Sequence, residues 1–214
     1  GLGSGAVVYE LDDLELAGNL AVGGELSTPS AGTSNTRVGV NTGNSIASGG
    51  NYNVLVGDEA GTALTTGDGN VAVGFEALKT EDANGESTAV GYQALKTQNA
   101  GASGLNTAVG YQAGLSVTTG VQNTLIGAEA GDALTSGGQN VAIGYLALSL
   151  ETTSANNVAI GREALKTSNG GSGNTAVGRT ALAATTTGDN NVGVGLSALT
   201  ANTTGASNVA IGAL

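Results

Sequence analysis

The chain has no cysteine, histidine, methionine or tryptophan, and it has a single proline, Pro29, and a single phenylalanine, Phe75. Without His or Cys there is no zinc or iron site of the usual kind, no disulfide, no Cys nucleophile and no Ser-His-Asp triad. A metal would have to be held by oxygen, as calcium is, but Asp58, Glu59, Glu81, Asp82 and Glu129 show neither EF-hand nor GGxGxD spacing. These acids read as solubilising charge that resists sideways aggregation. Six Lys plus Arg stand against seventeen Asp plus Glu, a net charge of -11, so the chain repels phosphate backbones and nucleic acid is not an expected partner. No apolar run approaches the roughly 20 residues of a membrane span, and no basic-then-apolar signal segment opens the chain. The composition thus points away from an enzyme and from a bound cofactor. It also argues against a thick core, because the 40% apolar fraction is almost entirely Ala, Val, Leu and Ile.

What the chain has is 38 glycines and a repeat. Aligned on the glycine of NVAIG, the anchors are Gly39, Gly57, Gly74, Gly91, Gly110, Gly127, Gly144, Gly161, Gly178, Gly195 and Gly212. The steps are 18, 17, 17 and 19 residues, then 17 six times. Fixed self-similarity at this length indicates a solenoid and argues against disorder.

One residue before the anchor all eleven repeats carry Val or Ile, and three before it all carry Val or Thr. β-branched residues at a spacing of two predict a strand. The residue between them is usually Ala, which leaves the second face small. Asn stands four before the anchor in ten of eleven repeats, Ser87 being the exception, and its amide can bond to the same Asn one coil away. The anchor glycine is expected at positive φ or at a close approach. Ala follows three residues after it in nine consecutive repeats, Ala60 to Ala198, as suits a narrow interior. A second glycine recurs ten after the anchor, so each coil is expected to have two strand-like edges joined by two turns. Stacked in register at roughly 4.8 Å, eleven coils would form a rod about 48 Å long. The Val/Ile column is expected in the apolar interior. Because a coil this thin leaves a parallel sheet half covered, several chains are expected to pack their small-residue faces around an axis, with three the preferred number.

NVAIG and NTAVG resemble the head repeats of YadA-like trimeric adhesins, although those repeats are typically shorter and carry Ser after the Asn. The longer form NTAVGYQAL...TTG, at Ser87 to Leu95 and Asn106 to Gly120, is similar to repeats of bacteriophage tail-fibre and related virion proteins. The resemblance covers Asn35 to Leu214. It implies an all-β, left-handed parallel β-roll assembled as a homotrimeric fibre, joined to neighbouring fibre or virion segments and located on a virion tail fibre that supports host attachment. The alternative it leaves is the head of a bacterial trimeric autotransporter adhesin at the cell surface. A polysaccharide-degrading tailspike and an ice-binding solenoid are weaker alternatives, since the columns offer no aromatic-lined groove and no Thr-x-Thr array. Residues 1–34 lack the anchor column and read as a β-structured shaft or junction; residues 35–214 read as the roll. The chain begins without Met and stops in mid-repeat, which suggests a segment of something longer.

Two features stand out as contact candidates. Phe75, Tyr92, Tyr111 and Tyr145 share the position after the anchor. Such a row could stack on sugars of a host cell-surface polysaccharide, but rings stacked on one another or covering a seam between chains are the preferred reading. Lys79, Lys96 and Lys166, with Glu76 and Glu163, read as a solvated face with weak ion pairs. The 19-residue step inserts two residues within Asn99 to Leu105, which should bulge from the roll. Tyr92, Asn99, Ser103 and Tyr111 are therefore the expected receptor-contact residues.

Overall fold

The computed structural model describes residues 32–101 and 103–213. The shaft expected over residues 1–34 lies outside them except for its last three positions. Eleven three-residue strands appear in chain order: β1 (Thr36–Val38), β2 (Val54–Val56), β3 (Val71–Val73), β4 (Thr88–Val90), β5 (Thr107–Val109), β6 (Thr124–Ile126), β7 (Val141–Ile143), β8 (Val158–Ile160), β9 (Thr175–Val177), β10 (Val192–Val194) and β11 (Val209–Ile211). They form one parallel sheet in sequential order, each residue pairing with its counterpart in the next repeat, as Val73 does with Val90. The fold is an all-β solenoid of about ten turns.

The expected second strand is absent from the described part of every coil. Turns take its place, and they depend on left-handed backbone at fixed columns. The anchor glycines sit at φ near +130, as Gly74 does at 134. Residues two and four after the anchor, such as Glu76 (φ 54) and Leu78 (φ 51), and five before it, such as Gln122 (φ 61), are also left-handed. Leucine in this region costs roughly 1–2 kcal/mol. Contacts between coils hold it there, Leu78 N–H donating to Ala94 O at 3.0 Å and Leu95 N–H to Ala113 O at 3.0 Å. The anchor column is also a close approach: a Cβ on Gly91 would lie 2.2 Å from Gly110 O.

The expected inside and outside of the strand are reversed. The middle residue, Ala72, Ala89, Ala108, Ala142, Ala159 or Ala176, is fully buried in the coil's own core. The flanking Val and Ile point outward, and Val109, Ile126 and Ile160 are more than a third exposed. The reason is space. The narrow interior is filled by the Ala three after the anchor and by Leu78, Leu95, Leu148, Leu165 or Leu182, four after it, leaving room opposite only for Ala.

Two alternative fillings follow from that constraint. Where Leu stands four after the anchor, the residue three further on is polar, as in Leu78 with Glu81, Leu95 with Gln98 and Leu148 with Glu151. Where that position is glycine, the later residue is apolar, as in Gly61 with Leu64, Gly114 with Val117 and Gly131 with Leu134. In two of these glycine coils the strand centre enlarges to Leu55 or Leu125, whose side chains occupy the space a Cβ on Gly61 or Gly131 would enter. The filling is shared between coils, since Leu55 and Leu125 also occupy the space that a Cβ on Gly43 or Gly114 of the coil before would enter.

Candidate functional site

The Asn column builds the internal spine. From Asn53 to Asn191, Oδ1 of each Asn accepts the backbone N–H of the same column one coil on, as from Asn140 N–H to Asn123 Oδ1 at 3.0 Å, and Nδ2 closes the coil onto a carbonyl fourteen residues ahead, as from Asn140 to Ser154 O at 3.0 Å. Ser87 is too short for that reach. There Gln98 takes over, its Nε2 donating to Ser87 Oγ at 2.9 Å and to Glu81 Oε2 at 2.8 Å, while its Oε1 accepts Asn106 Nδ2 at 2.8 Å. The Asn closure is thus missing in the coil that carries the 19-residue step.

At that step the structure places Asn99 on the surface, its N–H donating to Thr118 O at 2.9 Å. Ser103 helps to line a cavity of about 250 Å³ with Thr66, Asp68, Ala83, Asn84, Gly85 and Glu86. Tyr92 and Tyr111 do not line it. They belong to a separate surface, where Phe75 stacks on Tyr92 with ring centroids 5.3 Å apart and Tyr92 on Tyr111 at 5.4 Å. The four expected contact residues are therefore divided between two places. The faces of the middle ring are occupied by its neighbours, so the ladder presents ring edges and hydroxyls to solvent. Ala128 separates Tyr145 from the stack. Beside the rings, Gln112 Nε2 donates to Gln93 Oε1 at 2.8 Å, and Gln93 Nε2 to Glu76 Oε2 at 2.7 Å.

The Lys row differs from a simple solvated face. Glu76 is buried between Lys79 Nζ at 2.6 Å and Lys96 Nζ at 2.7 Å, and Lys79 also pairs with Glu59. Hydrogen bonds from Lys79, then Lys96 and Gln93, outweigh burial and lower the Glu76 pKa to about 2. Arg162 and Lys166 flank Glu163 more loosely, at 3.0 and 3.9 Å.

Of the acids read as solubilising charge, Glu81 is in fact fully buried, with Oε1 accepting Asn84 Nδ2 at 2.8 Å. Glu151, which sequence reasoning missed, is buried in the same column. Its Oε1 accepts the N–H groups of Thr152, Thr153 and Ser154 at 2.9, 3.1 and 2.9 Å, and its Oε2 accepts Ser168 Oγ at 2.9 Å and Gly170 N–H at 3.3 Å. Burial pushes this carboxyl up, but the donors win and leave it below its ordinary value. The available signal was the column itself, since both acids follow a Leu by three residues. In the column of Lys79 and Lys96, Asp132 Oδ1 and Ser149 Oγ are buried without a hydrogen-bond partner, and burial raises the Asp132 carboxyl, with Glu129 adding to the shift.

Because the folded pKa values of Glu76 and Glu151 are depressed, their contribution is fully present above the unfolded value of 4.5 and is lost as pH falls through the folded values. Thermal unfolding followed by circular dichroism is expected to show a falling melting temperature from pH about 4.5 down to about 2, the lower bound being set by Glu76. A flat profile would contradict the assignment.

Among the described residues there is no group of three or more Asp or Glu arranged for a metal ion, and no helix long and apolar enough to cross a membrane. No protein-family model, curated protein or solved structure matches the chain.

Proposed function

We propose that this chain is a structural segment of a homotrimeric bacteriophage tail fibre, extracellular on the virion, which holds a receptor-binding region away from the particle and supports attachment to a host cell. The observation that carries this reading is the outward apolar face. The Val/Ile position one before the anchor is an unbroken apolar column along the rod, flanked by Val or Thr three before the anchor and by a row one after it that Asp58, Arg162 and Arg179 interrupt, and Val38, Val54, Phe75, Val109, Tyr111, Ile126, Tyr145 and Leu196 are each more than a third exposed. A soluble monomer seldom leaves so continuous a stripe in water. Burial against copies of the same chain removes it, and cyclic closure around an axis gives each copy the same environment. The repeat supplies length and stiffness.

Light scattering on the purified segment is expected to give three chain masses. Ile143→Asp is expected to leave the β-rich circular dichroism intact, because the side chain faces outward, while dissociating the assembly; Glu163→Gln should do neither. A wild-type chain that is a monodisperse monomer would overturn the proposal.

A further inference from the structure

Around Glu151 the stacking of coils brings together backbone and side-chain groups from two neighbouring turns. We propose that Asn169-Gly170 is a self-modifying site, at which the fold promotes conversion of Asn169 to aspartate and isoaspartate through a cyclic imide. This inference stands apart from the proposed role in a fibre.

The reaction needs a backbone nitrogen to attack the preceding side-chain amide carbon. A following glycine leaves that nitrogen unhindered, and Asn169 and Gly170 are both exposed. Two further groups are already in place. The Gly170 N–H donates to Glu151 Oε2 at 3.3 Å, so a carboxylate stands on the proton that must leave. Thr152 Oγ1 donates to Asn169 Oδ1 at 3.0 Å, on the oxygen where negative charge develops. The attacking nitrogen, its base and the oxyanion donor are contributed by neighbouring coils, and the stacking register holds them together.

In the step itself the Gly170 nitrogen bonds to Asn169 Cγ and gives its proton to Glu151. The Cγ–Nδ2 bond then breaks, and the departing nitrogen takes up that proton and leaves as ammonia. Water opens the imide at either carbonyl. No oxidant or cofactor enters.

The chain contains its own comparison. Asn84-Gly85 is the other Asn-Gly pair, but its amide Nδ2 is held by buried Glu81, and among the described residues Gly85 N–H donates to no carboxylate. Peptide mapping by mass spectrometry after incubation at neutral pH measures both sites in one sample. In folded protein Asn169 is expected to convert at least about tenfold faster than Asn84. In denaturant, where sequence alone acts, the two rates should converge. Glu151→Gln removes the base but retains an acceptor, and Thr152→Val removes the oxyanion donor on a partly exposed side chain; each should shrink the folded-state ratio several-fold. If Glu151→Gln unfolds the coil, Thr152→Val still decides. Equal rates at the two sites in folded wild-type protein overturn the proposal. So does a ratio that survives Thr152→Val in folded protein, since exposure would then suffice.

Discussion

Replacing Asn140 with alanine is expected to cause the largest loss of stability of any single side-chain truncation in the Asn column of the central coils. The amide makes no surface contact and is fully buried. Its Oδ1 accepts Asn157 N–H at 3.0 Å, and its Nδ2 donates to Ser154 O at 3.0 Å and Asn123 Oδ1 at 3.1 Å. Alanine leaves the N–H and the carbonyl dry and unpaired, at about 1–3 kcal/mol each. The backbone itself is indifferent to the change, because the left-handed residue is Gln139, one position earlier. Chemical denaturation should therefore show a loss of about 2–6 kcal/mol. The same truncation at Asn208, in the last described coil where the residue is exposed, should cost markedly less. Equal losses at both sites would mean that the ladder does not carry the closure assigned to it.

Enlarging the strand centre with Ala142→Leu alone is expected to destabilise the protein by about 1–3 kcal/mol through overpacking. Leu148 stands where, one coil earlier, Gly131 leaves the space that Leu125 occupies. The glycine coils show what would accommodate it. In the coil before, Leu125 coexists with Gly131 and Leu134. Adding Leu148→Gly and Glu151→Leu to Ala142→Leu copies that filling but removes the acceptor of the Thr152, Thr153 and Ser154 N–H groups, so the triple variant is expected to recover part of the stability lost by the single one. The comparison is made by denaturation midpoints of the single, double and triple variants. A triple variant no more stable than Ala142→Leu would show that the two fillings are not interchangeable units.

Much of the architecture is legible from the repeat. The anchor spacing gives the solenoid, the β-branched pair gives the strand, and the Asn column gives the ladder. Which face of the strand is inside is a different matter. Alternation of Val, Ala and Ile shows two faces, and size alone assigns the larger apolar side chains to the interior. Here the interior volume is set by Leu78 and its equivalents from across the coil, so the small residue turns inward and the large ones turn out. The missing second strand has a similar cause. Leu78, Leu95, Leu148, Leu165 and Leu182 take left-handed backbone that leucine disfavours in isolation, and no local propensity announces it. At the candidate surfaces, the extra two residues before Asn106 revealed where the roll departs from its spacing. The buried acids were hidden because a carboxylate usually means surface, and only the neighbouring backbone donors make Glu151 an interior residue.

The register of the sheet also sets how the rod responds to force. The bonds that join one coil to the next, such as Gly74 N–H to Val56 O at 2.7 Å, connect strands stacked along the axis. Tension applied to the two ends of one chain therefore loads the outermost coil first and peels it before its neighbour feels the strain. Each released coil of 17 residues can extend to roughly 56–61 Å. The repeat would then yield in steps of nearly equal length, dissipating work coil by coil instead of snapping at one place.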